Sequence, residues 1–337
     1  MISGAPWTVV DAGGTTSVVW SRRGRAEHPS VNPASAGEHL AATRMQALFA
    51  DIARAARSDQ PIWFATAGLD PAAPGEELDR IQAAADAVRF RGLVVVSSDI
   101  IALLLTGLLG GTGNERRTWP TADAGAVAVV SGTGSGIRAG RLDAPPVTIG
   151  SQEYLASDEG SAFTLAQDGL RAAVRARDGR GQATVLAERF ERRTGRSLGR
   201  LARDLARTPF PKTAVAALAD VVTGAWQDGD AVAGRVVEQA LEDLETAALT
   251  GAGRAELRRG WRAVLSGGVF SGSAAMRDAL SDRLVAAGAG ESMTVLDPAE
   301  SMFRSLGTGA DPVPRSWLGT VVWELGSAAL PTRRRAG

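Results

Sequence analysis

A glycine-rich turn between two short apolar runs constrains the fold of this chain more than any other feature. Its first copy, residues 11–17 (DAGGTTS), joins the apolar residues 7–10 to the apolar residues 18–20. This pattern predicts a strand, a tight turn and a second strand. Glycines flanked by hydroxyls let backbone N–H groups approach an anion, and Asp11 is placed to hold a metal through water. A hairpin with a loose turn and a solvated Asp11 explains this one stretch equally well.

The same pattern returns in the second half of the chain. Residues 125–130 form an apolar run, residues 131–136 read SGTGSG, and Ile137 begins a second apolar run. Strand-like and helix-like segments alternate after each copy, which predicts α/β domains. We therefore expect an internally duplicated fold whose two halves clamp one nucleotide.

The domain boundaries follow from shifts in composition. Residues 110–123 are rich in glycine, threonine and arginine and predict a linker. We expect an N-terminal domain over residues 1–120, completed by residues 298–330, a C-terminal domain over 121–297, and a disordered tail over 331–337. Residues 27–37 contain prolines and polar residues, so they predict an irregular loop. An amphipathic helix with Leu40 in its buried stripe should follow it.

Composition excludes several classes of function. The 37 acidic and 37 basic side chains give a net charge of +0, so no electrostatic footprint for nucleic acid or an anionic membrane is present. Neither a membrane-length apolar segment nor a signal sequence is evident, which predicts a cytoplasmic protein. The chain has no cysteine, which excludes disulfides and cysteine-ligated clusters. The two histidines, His28 and His39, are too few and too close together to build a histidine metal site, so any metal is expected to be Mg²⁺ on oxygen ligands. Lys212 is the sole lysine and no Walker-type motif is found, which nearly excludes a lysine-based phosphate clamp.

Other polar residues lie where ligands commonly approach an α/β sheet. Asp99 follows the apolar run 92–96 and precedes an apolar helix, where it can act as a base or as a helix N-cap. Asn32 lies in the polar loop, where it can face a ligand or stabilise a turn. Asp158 begins a helix, where capping is the simpler role. Residues 266–268 (SGG) join a strand to a helix and allow a flat or anionic ligand to approach the backbone.

Together these segments resemble the sugar-kinase, actin and Hsp70 ATPase superfamily and, within it, the BadF/BadG/BcrA/BcrD ATPase family that includes N-acetylglucosamine kinase. Residues 11–16 resemble the phosphate-1 motif, 131–135 the phosphate-2 motif, 266–270 the adenosine motif, and 158–161 the DEGS segment of N-acetylglucosamine kinases. The resemblance extends from about residue 9 to residue 307. It implies an α/β fold of duplicated ribonuclease H-like (actin-like ATPase) domains with a nucleotide cleft between them.

The resemblance also implies roles for the matching residues. Asp11 would position Mg²⁺, and Asp99 would take the proton from the 6-hydroxyl of a sugar. The implied ATP-binding residues are Gly13, Gly14, Thr15, Thr16, Gly132, Thr133, Gly134, Gly229, Gly267, Gly268 and Gly272. The implied substrate-binding residues are Asn32, Asp99, Gln152, Glu153 and Asp158.

The chain departs from the family pattern at two places. Ser98 replaces an asparagine that usually precedes the catalytic aspartate. Residues 150–153 read GSQE where N-acetylglucosamine kinases have GGWG, so Gln152 replaces a sugar-facing tryptophan and Glu153 adds a carboxylate. A free amine, as in glucosamine, is a natural partner for Glu153. The sequence therefore leaves the 2-substituent of the sugar open.

The expected function is an ATP-dependent kinase that phosphorylates N-acetylglucosamine or glucosamine at the 6-hydroxyl, with ATP and Mg²⁺ as cofactors. Family members often pair as dimers, so the resemblance makes a homodimer one expected state. The other branch of the family, the activators of acyl-CoA dehydratases, bridges two subunits with an iron-sulfur cluster, which a chain without cysteine cannot ligate. A non-catalytic nucleotide- or sugar-binding regulator of the same fold is the alternative, because Ala12, Ser98 and the altered loop depart from the pattern.

Overall fold

A computed structural model describes residues 7–55, 60–67, 69–70, 73–109, 125–152, 154–209, 211–306 and 314–325. The chain forms two units. The first unit comprises Met1–Gly125, Gly140–Pro146 and Asp297–Gly337, and the second comprises Ala126–Ala139 and Val147–Leu296. The predicted linker and the predicted tail lie outside the described residues. Within the described ranges, no helix combines the length and the apolar character needed to cross a bilayer.

The first unit contains a six-stranded sheet in the order β11-β5-β4-β1-β2-β3. Strands β1, β4 and β5 are parallel, whereas β2, β3 and β11 run antiparallel to their neighbours. The central parallel strands β4 and β5 consist of buried residues alone, as expected for strands covered on both faces. The strand bounds are β1 Thr8–Ala12, β2 Thr16–Ser21, β3 Gly24–Pro29, β4 Ile62–Thr66, β5 Val94–Ser98 and β11 Val322–Leu325.

Helices of the first unit cover this sheet. They are α1 Pro33–Ala36, α2 Glu38–Ala55, α3 Gly75–Ala87, α4 Asp99–Leu108, α13 Pro298–Leu306 and a 3-10 turn at Arg315–Trp317. Helix α2 buries Met45 and Phe49, and the Phe49 ring stacks on Phe64 with 5.9 Å between the ring centroids. Leu40, in the first turn of α2, is 44% exposed, so its assignment to the buried stripe was wrong.

The segment after the first hairpin is more regular than predicted. Strand β3 includes Glu27, His28 and Pro29, and Pro33–Ala36 form a short helix. Proline is tolerated at both places for a physical reason. Strand β3 lies at the sheet edge, where no further strand needs an N–H donor, and Pro33 occupies the first position of a helix. The predicted irregular loop over residues 27–37 is therefore wrong.

The second unit contains a five-stranded sheet in the order β10-β9-β6-β7-β8. Its bounds are β6 Ala126–Ser131, β7 Ser135–Gly140, β8 Val147–Gly150, β9 Trp261–Ser266 and β10 Ala289–Val295. Strands β6, β9 and β10 are parallel. The order 10-9-6-7-8 repeats the order 5-4-1-2-3 of the first unit, strand for strand. This repetition shows the internal duplication that the two glycine-rich turns predicted.

Helices make up most of the rest of the second unit. They are α5 Ala162–Arg177, α6 Leu186–Thr194, α7 Leu198–Arg207, α8 Lys212–Ala216, α9 Ala219–Gln227, α10 Ala231–Arg254, α11 Gly268–Gly272 and α12 Ala274–Ala287. The N-cap of the longest, α10, is Asp230, whose carboxylate accepts hydrogen bonds from the N–H groups of Val232 and Ala233. Its apolar face lies in the hydrophobic core, which also contains Phe163, Phe190 and Phe270.

Candidate functional site

The first glycine-rich turn connects β1 to β2 as predicted. Asp11 is the fourth residue of β1 and is partly buried, while Gly14, Thr15 and Thr16 are exposed. The turn is tight, because a Cβ atom on Gly13 would lie 3.2 Å from the carbonyl oxygen of Thr16. The exposure of Gly14, Thr15 and Thr16 places this turn at an accessible surface.

Ser30 links this turn to Asn32. The Ser30 hydroxyl donates a hydrogen bond of 2.9 Å to the carbonyl oxygen of Gly13 and accepts one of 3.2 Å from the backbone N–H of Asn32. Asn32 is 9% exposed, so it is a buried residue held beside the turn rather than part of an open loop. Sequence reasoning missed Ser30, since a serine in a polar segment gives no local indication of such a contact.

Asp99 is the first residue of α4, directly after β5. The helix N-cap is Ser98, whose hydroxyl accepts a hydrogen bond from the N–H of Ile101. The interpretation of Asp99 as the N-cap is therefore wrong. The Asp99 carboxylate accepts a 2.8 Å hydrogen bond from the N–H of Ile100, which fixes it at the carboxyl end of the parallel strands.

Two other carboxylates of this unit act on Asp11. Burial, together with the negative charges of Asp99 and Asp297, raises the pKa of Asp11 from 3.8 to about 7. Asp297 precedes α13 and accepts hydrogen bonds from the Glu300 N–H at 2.8 Å and from the Trp20 indole N–H at 3.0 Å. Asp297 was not among the residues singled out from the sequence. The raised pKa shows that negative charge at Asp11 is disfavoured unless a cation is nearby.

The chemistry of this carboxylate set suits a hard divalent cation. In the part of the chain that the structure describes, no three His, Asp or Glu side chains are grouped to hold a metal ion by themselves. Magnesium commonly keeps several waters and uses one or two protein carboxylates together with phosphate oxygens. Asp11 therefore fits an ion that arrives with phosphates, because the dication would offset the burial and the repulsion that raise its pKa.

The second glycine-rich turn connects β6 to β7 and packs against the turn after β9. The Gly132 N–H donates to the carbonyl oxygen of Gly134 at 2.9 Å. Gly267 has φ +113°, and a Cβ atom there would overlap the carbonyl oxygen of Ser131 and lie 3.0 Å from the Gly132 nitrogen. The parallel pairing of β6 with β9 thus brings Gly132, Gly267 and Gly268 together.

Asp158 also lies against the second turn. Its side chain is buried, and one carboxylate oxygen accepts a 2.9 Å hydrogen bond from the N–H of Ser135. The other oxygen lies 2.8 Å from the Lys212 ammonium. The N-cap of α5 is Ser161, so the capping interpretation of Asp158 is wrong.

The remaining predicted residues are placed less directly. Gly229 is an exposed glycine in the turn between α9 and α10, with φ +89°. Gln227, two residues before it, donates a 3.3 Å hydrogen bond to Ser273, which follows Gly272 at the end of α11. Gln152 is exposed. Glu153 lies outside the described residues.

More than half of the chain matches a known protein family. Residues 117–298 match the model of the BadF/BadG/BcrA/BcrD ATPase family, which is more than half of the chain. The chain belongs to the BadF/BadG/BcrA/BcrD ATPase family. This result confirms the resemblance that the glycine-rich turns carried. No curated protein sequence gives a significant match.

Solved structures that resemble this family member have the same fold. A protein from Porphyromonas gingivalis, named as a candidate N-acetylglucosamine kinase, is 18% identical with a TM-score of 0.68; the match covers 89% of this chain and 98% of that one. A protein from Chromobacterium violaceum, also named as a candidate N-acetylglucosamine kinase, is 21% identical with a TM-score of 0.62; the match covers 89% of this chain and 98% of that one. A ROK family glucokinase from Streptomyces griseus, in complex with glucose and AMPPNP, is 13% identical with a TM-score of 0.50 and covers 91% and 99%. These matches confirm the α/β, ribonuclease H-like fold class.

Replacement of Gly267 by alanine should destabilise the second unit. The positive φ and the overlap with Ser131 add backbone strain and a steric clash, which together cost about 2 kcal/mol or more. Urea unfolding measures the loss. Gly253→Ala is the matched control, because Gly253 lies in α10 with open space around its Cβ position. This variant should raise the free energy of unfolding by about 0.5–1 kcal/mol. Equal stability of Gly267→Ala and the wild type would contradict the observed packing of the two turns.

Proposed function

We propose that this protein is an ATP-dependent sugar kinase that phosphorylates the 6-hydroxyl of an amino sugar, N-acetylglucosamine or glucosamine. The observation that carries the proposal is the placement of Asp11 and Asp99 at the carboxyl ends of the parallel strands β1 and β5, close enough for the Asp99 charge to act on Asp11. A base and a cation-binding carboxylate are the two charged groups that phosphoryl transfer to an alcohol requires. The family assignment and the glycine-rich turns support the same reaction.

The proposed roles follow from the positions of the side chains. The Asp99 carboxylate accepts the proton of the sugar hydroxyl as the bond from that oxygen to the γ-phosphorus forms. The bond between the γ-phosphorus and the bridging oxygen breaks, and ADP leaves. The N–H groups of the two turns, at Gly13–Thr16 and at Gly132–Gly134, stabilise phosphate oxygens. Asp11 would hold Mg²⁺, which when bound neutralises charge on the phosphates.

The remaining predicted residues complete this proposal. Asn32 and Gln152 would contact the sugar, and the turns at Gly229, Gly267, Gly268 and Gly272 would contact the nucleoside. Glu153 would select the 2-substituent, because a carboxylate pairs with an ammonium and not with an acetamide. This proposal makes the free amine of glucosamine the favoured group.

ADP release with Mg-ATP over a panel of sugars tests the proposal. We expect turnover with glucosamine or N-acetylglucosamine, slower turnover with glucose, and no release without sugar. Glu153→Gln should lower the kcat/KM ratio of glucosamine to N-acetylglucosamine by about tenfold, the effect of one lost charge-assisted contact. If the wild type and Glu153→Gln each used glucosamine and N-acetylglucosamine equally well, the argument that Glu153 selects a free 2-amine would be lost. Absence of turnover with every sugar, despite nucleotide binding, would favour a non-catalytic regulator of the same fold.

A further inference from the structure

Lys212, the sole lysine of the chain, is paired with a buried acid. It is the first residue of α8, and its Nζ atom lies 2.8 Å from Oδ2 of Asp158. The Asp158 side chain is 4% exposed and that of Lys212 is 23% exposed. An ion pair this deep is held in place, since separating the partners would leave a charge with little solvent around it.

The acid in this pair supports the second glycine-rich turn directly. Oδ1 of Asp158 accepts the 2.9 Å hydrogen bond from the Ser135 N–H. A Cβ atom on Gly134 would lie only 2.7 Å from the same oxygen, so the carboxylate is packed against the turn. Asp158 itself has φ +72°, a strained conformation for a residue with a side chain. Strain of this kind persists only where the surroundings hold the residue firmly.

Lys212 also contacts Tyr154, the residue that follows the segment departing from the family pattern. Its ammonium lies 5.8 Å from the centre of the Tyr154 ring, and that ring packs on Phe163 with 4.9 Å between centroids. The lysine therefore bridges Tyr154 and Asp158, one residue on each side of the stretch 155–157. The Asp158 carboxylate and the Tyr154 ring thus share this one cation.

We propose that Lys212 is a positioning residue that, by neutralising Asp158, keeps its carboxylate on the Ser135 N–H and so fixes the shape of the turn at Gly132–Gly134. Without the ammonium, the buried carboxylate has no counter-charge, and water that enters to hydrate it, or its own movement towards solvent, weakens its contact with the turn. The inference rests on the proposed function only in that this turn binds nucleotide phosphates.

Two variants separate this role from others. Lys212→Met removes the cation and leaves the carboxylate buried. The double variant Asp158→Asn/Lys212→Met removes both charges, yet the amide oxygen of the introduced asparagine can still accept from the Ser135 N–H. Arg171→Met is the control, because it breaks an exposed ion pair with Asp168 on α5. The measurements are ADP affinity by titration calorimetry without sugar, and hydrogen-deuterium exchange of the peptide that contains Ser135.

Lys212→Met should weaken ADP binding by about tenfold or more and speed exchange at Ser135. The double variant should recover both properties to within about threefold of the wild type, and Arg171→Met should change neither. Recovery in a folded double variant supports the proposal even if Lys212→Met does not fold.

Three results would overturn the proposal. Unchanged exchange at Ser135 in Lys212→Met would show that the turn does not need the pair. If the double variant bound ADP as weakly as Lys212→Met does, the Lys212 ammonium would contact the ligand directly. If both variants were unfolded, the ion pair would contribute to stability only. If wild-type protein bound no ADP, the proposed function would fail, whereas the exchange data would still decide the role of Lys212.

Discussion

Asp99→Asn should lower kcat for sugar-dependent ATP consumption by about 10²- to 10⁴-fold, the usual contribution of a positioned general base. Asparagine keeps the size of the side chain and an oxygen that can accept from the Ile100 N–H, so α4 should begin as before. What is lost is the ability to take a proton. ADP affinity should therefore stay within about twofold of the wild type, because the glycine-rich turns are untouched. Steady-state kinetics and ADP titration together measure the two effects.

A matched carboxylate elsewhere in the first unit controls for the loss of charge. Asp86 is exposed on α3, and its carboxylate accepts a hydrogen bond only from Gln82 among the contacts described. Asp86→Asn should leave kcat unchanged. If Asp99→Asn retained most of the wild-type kcat, Asp99 would not be the base, and the reaction would have to use another group.

Asp11→Asn should make the ligand-free protein more stable at neutral and alkaline pH. The pKa of Asp11 is raised from 3.8 to about 7 by burial and by the charges of Asp99 and Asp297. Below about pH 4 the carboxyl is protonated in both the folded and the unfolded chain, so no penalty exists. As pH rises towards 7, the unfolded chain ionises while the folded chain keeps its proton, and this difference destabilises the fold by about 2–4 kcal/mol in total. Asparagine cannot ionise and avoids that loss.

Urea unfolding of both proteins in EDTA, between pH 4 and pH 8, measures this difference. Groups that do not interact with Asp11 titrate alike in the two proteins, so the gap in unfolding free energy should open as pH rises and level off above about pH 7. Excess magnesium with ADP should narrow the gap, because ligand binding stabilises only the folded wild type appreciably. A gap that is the same at every pH would show that Asp11 is ionised in the folded protein throughout.

The elements that local sequence determines were predicted well. Uninterrupted apolar runs placed β1, β5, β6 and β9 to within two or three residues, because such runs have few other ways to be buried. The glycine-rich stretches located both turns, and in the second the packed carboxylate of Asp158 leaves no room for a Cβ atom on Gly134. Asp99 was placed at the junction of a strand and a helix by the same reasoning.

The features that were missed depend on contacts between distant residues. Asp297 accepts a hydrogen bond from Trp20, which lies 277 residues away in the sequence. Because residues this far apart meet only in the folded chain, nothing near Asp297 in the sequence indicates that its charge acts on Asp11. Ser98 and Asp99 are both good N-caps, and only the backbone geometry shows that Ser98 has that role. Pro29 was judged a breaker because the sequence does not show which strand lies at a sheet edge. The site assignments that rest on ligand contacts stay predictions.

The first unit is built from both ends of the chain, and this has a consequence for synthesis on the ribosome. Its edge strand β11 and the residue Asp297 are translated only after the whole of the second unit. The second unit, by contrast, draws nearly all its residues from one continuous stretch and can fold as soon as that stretch emerges. We infer that a nascent chain acquires its second glycine-rich turn in final form before Asp11 meets its full electrostatic environment, so the half that begins first is completed last.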